Sequence, residues 1–259
     1  MVCNFSSVAF SVFGLPIHWY SLAYIFGLLI ALQITKTLAT KIGGEITVSQ
    51  IEDFLSTAIV GIILGGRLGH VLFYDFGFYA SHLTEVFKIW KGGMSFYGGF
   101  LGVIVATVIF CRNHKISFLK FIDLWSVSVP IGLFLGRIAN LINGELPGKP
   151  SDISWAIILK DGIKRHPSQI YEAILEGVLL FLIMILAFKK QCYKHVGRLS
   201  GVFCAGYGCA RFTAEFFREP DSLFSYKLLY MSGINLNQYM SIAMFLLGVY
   251  LIVRSKTNE

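Results

Sequence analysis

Ile170-Tyr171-Glu172-Ala173-Ile174-Leu175-Glu176-Gly177-Val178-Leu179-Leu180-Phe181-Leu182-Ile183-Met184-Ile185-Leu186-Ala187-Phe188 is a run of nineteen residues whose two charges, both glutamate, fall in its first half. A helix of about 20 mainly apolar residues crosses the hydrocarbon core of a bilayer. The run therefore predicts a transmembrane helix. Six more candidates lie around it, at roughly 19–38, 54–74, 94–111, 121–141, 200–217 and 238–253. The whole composition agrees. The chain has 259 residues, 55% hydrophobic and only 14% charged, with mean hydropathy +0.67. A soluble domain carries about 25% charge, so a soluble enzyme and a disordered chain are both excluded. The expected fold is an all-α polytopic membrane protein of about seven transmembrane helices, a single integral membrane domain over 1–259 without internal repeats.

The net charge of +7 does not point to nucleic acid. The basic residues form short clusters between apolar segments, with no basic stripe and no interleaved aromatics. A bias toward one membrane side accounts for them. The first sixteen residues hold no Lys or Arg. Placing that end outside puts eleven Lys and Arg on the cytoplasmic side and eight in much longer outer segments. The remaining three, Arg67, Arg137 and Arg211, lie inside predicted spans. The N-terminus is thus expected outside and the C-terminus inside, with no cleaved signal peptide. The longest outer segment, 142–169, holds Ser154-Trp155-Ala156-Ile157-Ile158-Leu159 followed by Asp161-Gly162. An apolar run before an Asp-Gly turn predicts a short hairpin in a small periplasmic cap. Five cysteines, at 3, 111, 192, 204 and 209, show neither metal-type nor disulfide-framework spacing and are read as small buried hydrophobes.

An ionisable residue within a span is costly, which makes each one a candidate for function. Tyr207, Arg211, Glu215 and Arg218 recur at steps of four, four and three, one face of the sixth predicted span. Arg137 and Asn140 share a face near the outer end of the fourth, and Arg67 lies near the outer end of the second. His18-Trp19-Tyr20, Gly92-Gly93-Met94-Ser95-Phe96-Tyr97-Gly98-Gly99 and His166-Pro167-Ser168-Gln169-Ile170-Tyr171-Glu172 open the first, third and fifth from the same side. Residues that merely glue helices have no reason to favour one leaflet, whereas a site at the outer headgroup region does. The steps of four among Gly61, Gly65 and Gly69, between Gly98 and Gly102, and between Gly132 and Gly136 predict close helix packing.

Arginines in a low dielectric call for an anion, and a guanidinium fork suits phosphate. A membrane-embedded phosphate facing outward is an anionic phospholipid headgroup. Glu215, Glu145 and Glu172 are expected to orient the arginines, while Glu172 and Glu176 also read as lining the bundle. No span carries an acidic cluster of the metal-binding kind, so no metal or other cofactor is expected, and no G-x-S-x-G elbow supplies an acyl-enzyme nucleophile.

Gly136-Arg137-Ile138-Ala139-Asn140-Leu141-Ile142-Asn143-Gly144-Glu145-Leu146-Pro147-Gly148 resembles the signature of bacterial prolipoprotein diacylglyceryl transferases. His18-Trp19-Tyr20, Gly66-Arg67-Leu68-Gly69, Gly92 through Phe96, Arg165 through Glu172, and Arg211 through Asp221 match in the same order. The resemblance implies a seven-span protein of the bacterial plasma membrane with a small periplasmic cap. It implies transfer of the diacylglyceryl group of phosphatidylglycerol to the lipobox cysteine thiol of a prolipoprotein, releasing glycerol 1-phosphate. It also implies roles. Arg137 and Arg211 correspond to a phosphate clamp, and Asn140 and Glu145 shape the site. Tyr20, His18, Tyr207, Glu215, Arg218 and His166 match further positions of binding or turnover. Arg67 and Gly148 are placed with substrate binding.

Two positions depart from the family pattern. Many members have His, a favoured base, where this chain has Tyr97. A tyrosine titrates near 10, so deprotonation of the substrate thiol is left among Tyr97, His18, Glu145 and the field of the arginines. Leu141 replaces the commoner Phe, apolar for apolar. An anionic-lipid transporter or a lipid-binding membrane protein is the alternative reading. A transporter calls for broken helices or a repeat, and neither is legible in the sequence.

Overall fold

The computed structural model describes residues 6–12, 14–159, 161–220 and 231–257. Cys3, Lys160, Asp221 and Lys227 lie outside them. Each of the seven apolar segments is helical: α1 (Trp19–Ile42), α2 (Val48–Phe73), α4 (Phe96–Asn113), α5 (Phe118–Asn143), α6 with α7 (Ser168–Glu172 and Leu180–Lys189), α8 (Arg198–Ala214) and α9 (Leu236–Arg254). Among the described residues five helices are long and apolar enough to cross a membrane, and the apolar part of α4 is shorter. Between α6 and α7 the backbone is π-helical over Ala173–Leu179, which makes Ser168–Lys189 one continuous span. The long helices turn apolar side chains outward: Leu64, Leu68, Leu101, Val105, Leu182 and Leu246 are all more than half exposed. Water would not tolerate that surface; lipid does. The chain is an integral membrane protein.

Local signals set the helix ends. Thr47 and Gln50 form a reciprocal capping box at the start of α2, and Asn235 and Gln238 do the same for α9. Helix α8 starts on a buried carboxylate. Asp123 of α5 accepts from Gly197 N at 2.6 Å, and from Ser200 N and Oγ at 2.7 and 2.6 Å. An anion placed there satisfies the orphan amides at a helix N-terminus.

Among the described residues, three antiparallel ladders lie between or beside the helices. β3 (Ile157–Ile158) pairs with β4 (Lys164–Arg165) around the Asp161-Gly162 turn, with Gly162 in the left-handed region at φ +76°. This is the hairpin read from the sequence, and Ile157 and Leu159 pack it onto Leu141. The other two ladders, β1 (Val8–Val12) with β2 (Leu15–His18), and β5 (His195–Val196) with β6 (Lys256–Thr257), were not expected. No element was predicted there, because two- to five-residue strands carry too little periodicity to register.

The chain forms two compact units, one of Met1–Thr35 with Ile122–Glu259 and one of Lys36–Phe121. In the second, α2 and α4 cross at the predicted glycines. A Cβ added to Gly69 would sit 2.6 Å from Gly98 Cα, and one on Gly65 would sit 2.7 Å from Gly102 Cα and run into Gly98 O. No side chain fits between these backbones. In the first unit a Cβ on Gly27 would sit 3.3 Å from Gly132 Cα, but one on Gly132 or on Gly136 would meet nothing within 4 Å. The step of four between Gly132 and Gly136 is therefore not itself required by a close approach. Sequence spacing missed a similar approach between α8 and α9, where a Cβ on Gly201 would lie 2.9 Å from Gly248 O.

Candidate active site

The first unit gathers three guanidiniums and three carboxylates. Arg137, from the C-terminal half of α5, donates through Nε and Nη2 to Glu176 Oε2 at 3.1 and 2.9 Å, and its Nη1 lies 3.0 Å from Glu172 Oε2. Arg211, near the end of α8, donates through Nη1 to Glu172 Oε1 at 2.7 Å and to Glu176 Oε1 at 3.3 Å. Its Nη2 lies 2.6 Å from Glu215 Oε2. Arg218 Nη1 donates to Glu172 Oε1 at 3.3 Å. Asn237 Nδ2 of α9 reaches Glu215 Oε1 at 2.7 Å. All three carboxylates are fully buried, while the side chains of Arg137 and Arg211 keep 14% and 10% exposure. Matched signs are what allow so much charge to be buried, since an unpaired ion there costs several kcal/mol. Tyr207 lies within electrostatic reach of both arginines and of Glu172 and Glu176.

Local structure explains the convergence. Glu172 closes α6 and Glu176 sits in the π-helical stretch. A π segment shifts the facing of the residues within it, a device common at functional sites. Arg218 was expected on the face of the sixth helix, but α8 ends at Ala214 and Arg218 lies in extended chain bridged to Gly148. Its guanidinium reaches the cluster all the same. Glu145 was expected among the carboxylates that orient the arginines. Instead its exposed carboxylate accepts from Asn143 Nδ2 at 3.2 Å, and Glu176 occupies the place assigned to it. The one available signal was the step of four from Glu172, which the sequence reading took for bundle lining.

The signature segment leaves α5 through a tight turn. Gly144 and Leu146 both have positive φ, +72° and +54°, and in leucine that conformation is strained. Neighbours hold it. Glu145 N donates to Asn140 O at 2.9 Å, Gln169 Nε2 donates to Glu145 O at 2.7 Å, and Ser168 Oγ donates to Leu146 O at 3.3 Å. Gly148 then passes so close to His166 O that a Cβ would collide with it. Arg165 Nη1 donates to Gly148 O at 3.0 Å, its Nε donates to Asp161 at 2.7 Å, and it pairs with Glu219. The Ile163 amide, and then Arg165, hold the Asp161 carboxyl below the usual carboxylate range. His166 packs on Phe217 and Tyr171, with ring centroids at 5.2 and 6.1 Å, and Tyr171 OH accepts from Trp155 Nε1 at 2.7 Å.

The remaining candidates lie around this core or in the other unit. Tyr20 opens α1, 5.1 Å from the Tyr24 ring and within electrostatic reach of Glu145 and Arg137. His18 is exposed in β2, paired with Val8. Asn140 is buried, and its Oδ1 has no hydrogen-bond donor among the described residues. Arg67 and Tyr97 belong to the second unit. Arg67 is buried and donates to the carbonyls of Glu85, Val86, Gly92 and Gly93 at 2.5–3.1 Å, with its guanidinium 5.0 Å from the Tyr79 ring centre. Asp75 faces His70, at 3.6 Å. Tyr97 stands in the first turn of α4 and is 54% exposed.

Helical spans around a buried arginine–glutamate cluster, with a strained Gly-containing turn and a short hairpin beside it, define a class: polytopic membrane proteins with a buried ionic core. The family described as prolipoprotein diacylglyceryl transferase matches residues 7–254. The chain belongs to that family, the transferases of lipoprotein maturation. It is 46% identical over 255 residues to the phosphatidylglycerol–prolipoprotein diacylglyceryl transferase of Rickettsia rickettsii (strain Sheila Smith), covering 97% of both chains. It is 47% identical to the Gluconobacter oxydans (strain 621H) protein of that name, covering 96% of this chain and 92% of that one. The Azospirillum brasilense protein of the same name is 42% identical over 254 residues, covering 96% and 94%.

Proposed function

We propose that this chain moves the diacylglyceryl group of phosphatidylglycerol onto the lipobox cysteine thiol of a prolipoprotein. The observation that carries this reading is the joint hold of Glu172 and Glu176 on Arg137 and Arg211. Two cations held beside each other by the same two carboxylates, each side chain keeping some exposure, form a preorganised phosphate clamp. In the reaction the thiol gives up its proton and the sulfur attacks the glyceryl carbon. The carbon–oxygen bond to phosphate breaks, and its electron pair leaves on the phosphate oxygen as glycerol 1-phosphate. Charge thus gathers on the phosphate in the transition state. Guanidinium donors aimed there stabilise it at no reorganisation cost. The nucleophile comes from the substrate, so no cysteine of this chain takes part. His18, Tyr97 and Glu145 are the candidate proton acceptors. Asn140, Tyr20, Tyr207, Glu215, Arg218, His166 and Gly148 shape the lipid site, and Arg67 acts from the carbonyls it ties together.

The membrane arrangement belongs to the same reading. All seven helical segments cross, the N-terminus and the 142–169 cap lie on the periplasmic side, and the C-terminus is cytoplasmic. The distribution of Lys and Arg supports this, as does the clustering of polar residues toward one end of the spans. The test uses purified protein with phosphatidylglycerol and a lipobox peptide. Glycerol 1-phosphate released only when both substrates are present supports a transferase. Release without peptide would make it a hydrolase, and no release with retained lipid binding would leave a transporter or a lipid-binding protein.

A further inference from the structure

Two polar side chains beside the clamp bury an acceptor that no protein group fills. Gln169 is fully buried and its Oε1 has no donor among the described residues. Its orientation is fixed, because Nε2 donates to Glu145 O at 2.7 Å and an amide turned the other way would face oxygen to oxygen. Asn140 Oδ1 is likewise buried and unfilled. Both residues hold the main chain of Glu145: the Asn140 backbone carbonyl accepts from Glu145 N at 2.9 Å, and Gln169 Nε2 donates to Glu145 O. Each also lies one helical step from the clamp. Asn140 follows Arg137 by three residues on α5, and Gln169 precedes Glu172 by three on α6, a spacing that sets side chains about 5–6 Å apart. Arg137 and Glu172 are themselves in contact at 3.0 Å.

A buried amide oxygen left without a donor is costly. Two such oxygens beside a phosphate clamp suit a ligand that brings hydroxyls next to its phosphate. Resting on the phosphate-clamp reading above, we infer that Gln169 selects the lipid headgroup. Its Oε1, together with Asn140 Oδ1, accepts hydrogen bonds from the hydroxyls of a polyol headgroup while the arginines take the phosphodiester. Gln169 is thus a specificity residue. A headgroup with the same charge and no hydroxyl leaves both oxygens unfilled and is rejected.

The test compares phosphatidylglycerol with phosphatidylethanol, which keeps the anionic phosphodiester and lacks the hydroxyls, in mixed micelles with a lipobox peptide. The wild-type protein is expected to prefer phosphatidylglycerol about tenfold or more in kcat/KM, and Gln169→Met to lower that ratio at least about threefold. Equal use of both lipids by the wild type overturns the inference. A Gln169→Met variant that loses both activities by one common factor also overturns it, because Gln169 would then act only by tying the Glu145 carbonyl. A second arm needs no variant. sn-Glycerol 1-phosphate should bind or inhibit the wild type about tenfold more tightly than ethyl phosphate, and equal potency counts against the inference. That arm reads headgroup choice by binding alone, so it still decides the point if peptide-dependent turnover, the criterion for the transferase itself, is not seen.

Discussion

Arg137 donates two hydrogen bonds to a single oxygen of Glu176, at 3.1 and 2.9 Å, across 39 positions of sequence. This contact turns two helices into one ionic unit. It also places an unanticipated acid at the centre of the site.

Removing that acid should cost more than removing an exposed one. Breaking a buried ion pair from one side destabilises by about 3–5 kcal/mol, because the partner charge is stranded. Glu176→Ala is expected to lower the thermal midpoint in detergent and abolish glycerol phosphate release. Glu176→Gln, which keeps a hydrogen-bond acceptor, should fold better while losing about tenfold or more in rate. A Glu176→Gln variant as active as the wild type would remove this carboxylate from the clamp.

Arg137→Lys and Arg211→Lys keep the charge and lose the planar fork. Each is expected to reduce turnover by about a hundredfold or more while the protein still accumulates in membranes. Membrane fractionation together with the release assay separates loss of insertion from loss of chemistry. Normal rates in either variant would contradict the clamp.

Gly65→Leu should disrupt the α2–α4 crossing, since even a methyl there meets the Gly98 carbonyl oxygen and Gly102 Cα. Overpacking of this kind costs about 1–3 kcal/mol or more. Lower yield and an earlier thermal transition are expected. Gly136→Ala, with nothing within 4 Å of the added Cβ, should leave both unchanged.

Tyr97→Phe tests whether the hydroxyl takes part. A loss of rate with little change in stability is expected, and Tyr97→His should retain activity. A fully active Phe variant would exclude the hydroxyl from proton transfer. Replacing all five cysteines by serine should preserve turnover, because the reacting thiol belongs to the substrate.

The apolar runs of 16–21 residues made every long helix readable. The Asp161-Gly162 turn made the hairpin readable too, because left-handed backbone at Gly162 is a local requirement with a local signal. The site was readable where its residues stand at helical spacing, as with Arg211 and Glu215 or Arg137 and Asn140. It was not readable where backbone geometry departs from the α period. The π-helical stretch brings Glu176 to Arg137 and leaves no mark in composition or spacing. Arg218 was readable from its spacing, but α8 ends at Ala214 and the residue reaches the cluster on extended chain instead. Arg67 is a different case. Its place inside a span reads as a substrate-binding cation, and the partners it shows are main-chain carbonyls, which have no side-chain signature at all.

The central claim is that Arg137 and Arg211 grip the phosphate of the lipid. A structure of the protein with phosphatidylglycerol bound tests it most directly. The account predicts phosphate oxygens at charge-assisted hydrogen-bond distance, roughly 2.7–2.9 Å, from both guanidiniums. A headgroup phosphate seated elsewhere, with both arginines still held by their glutamates alone, would contradict it.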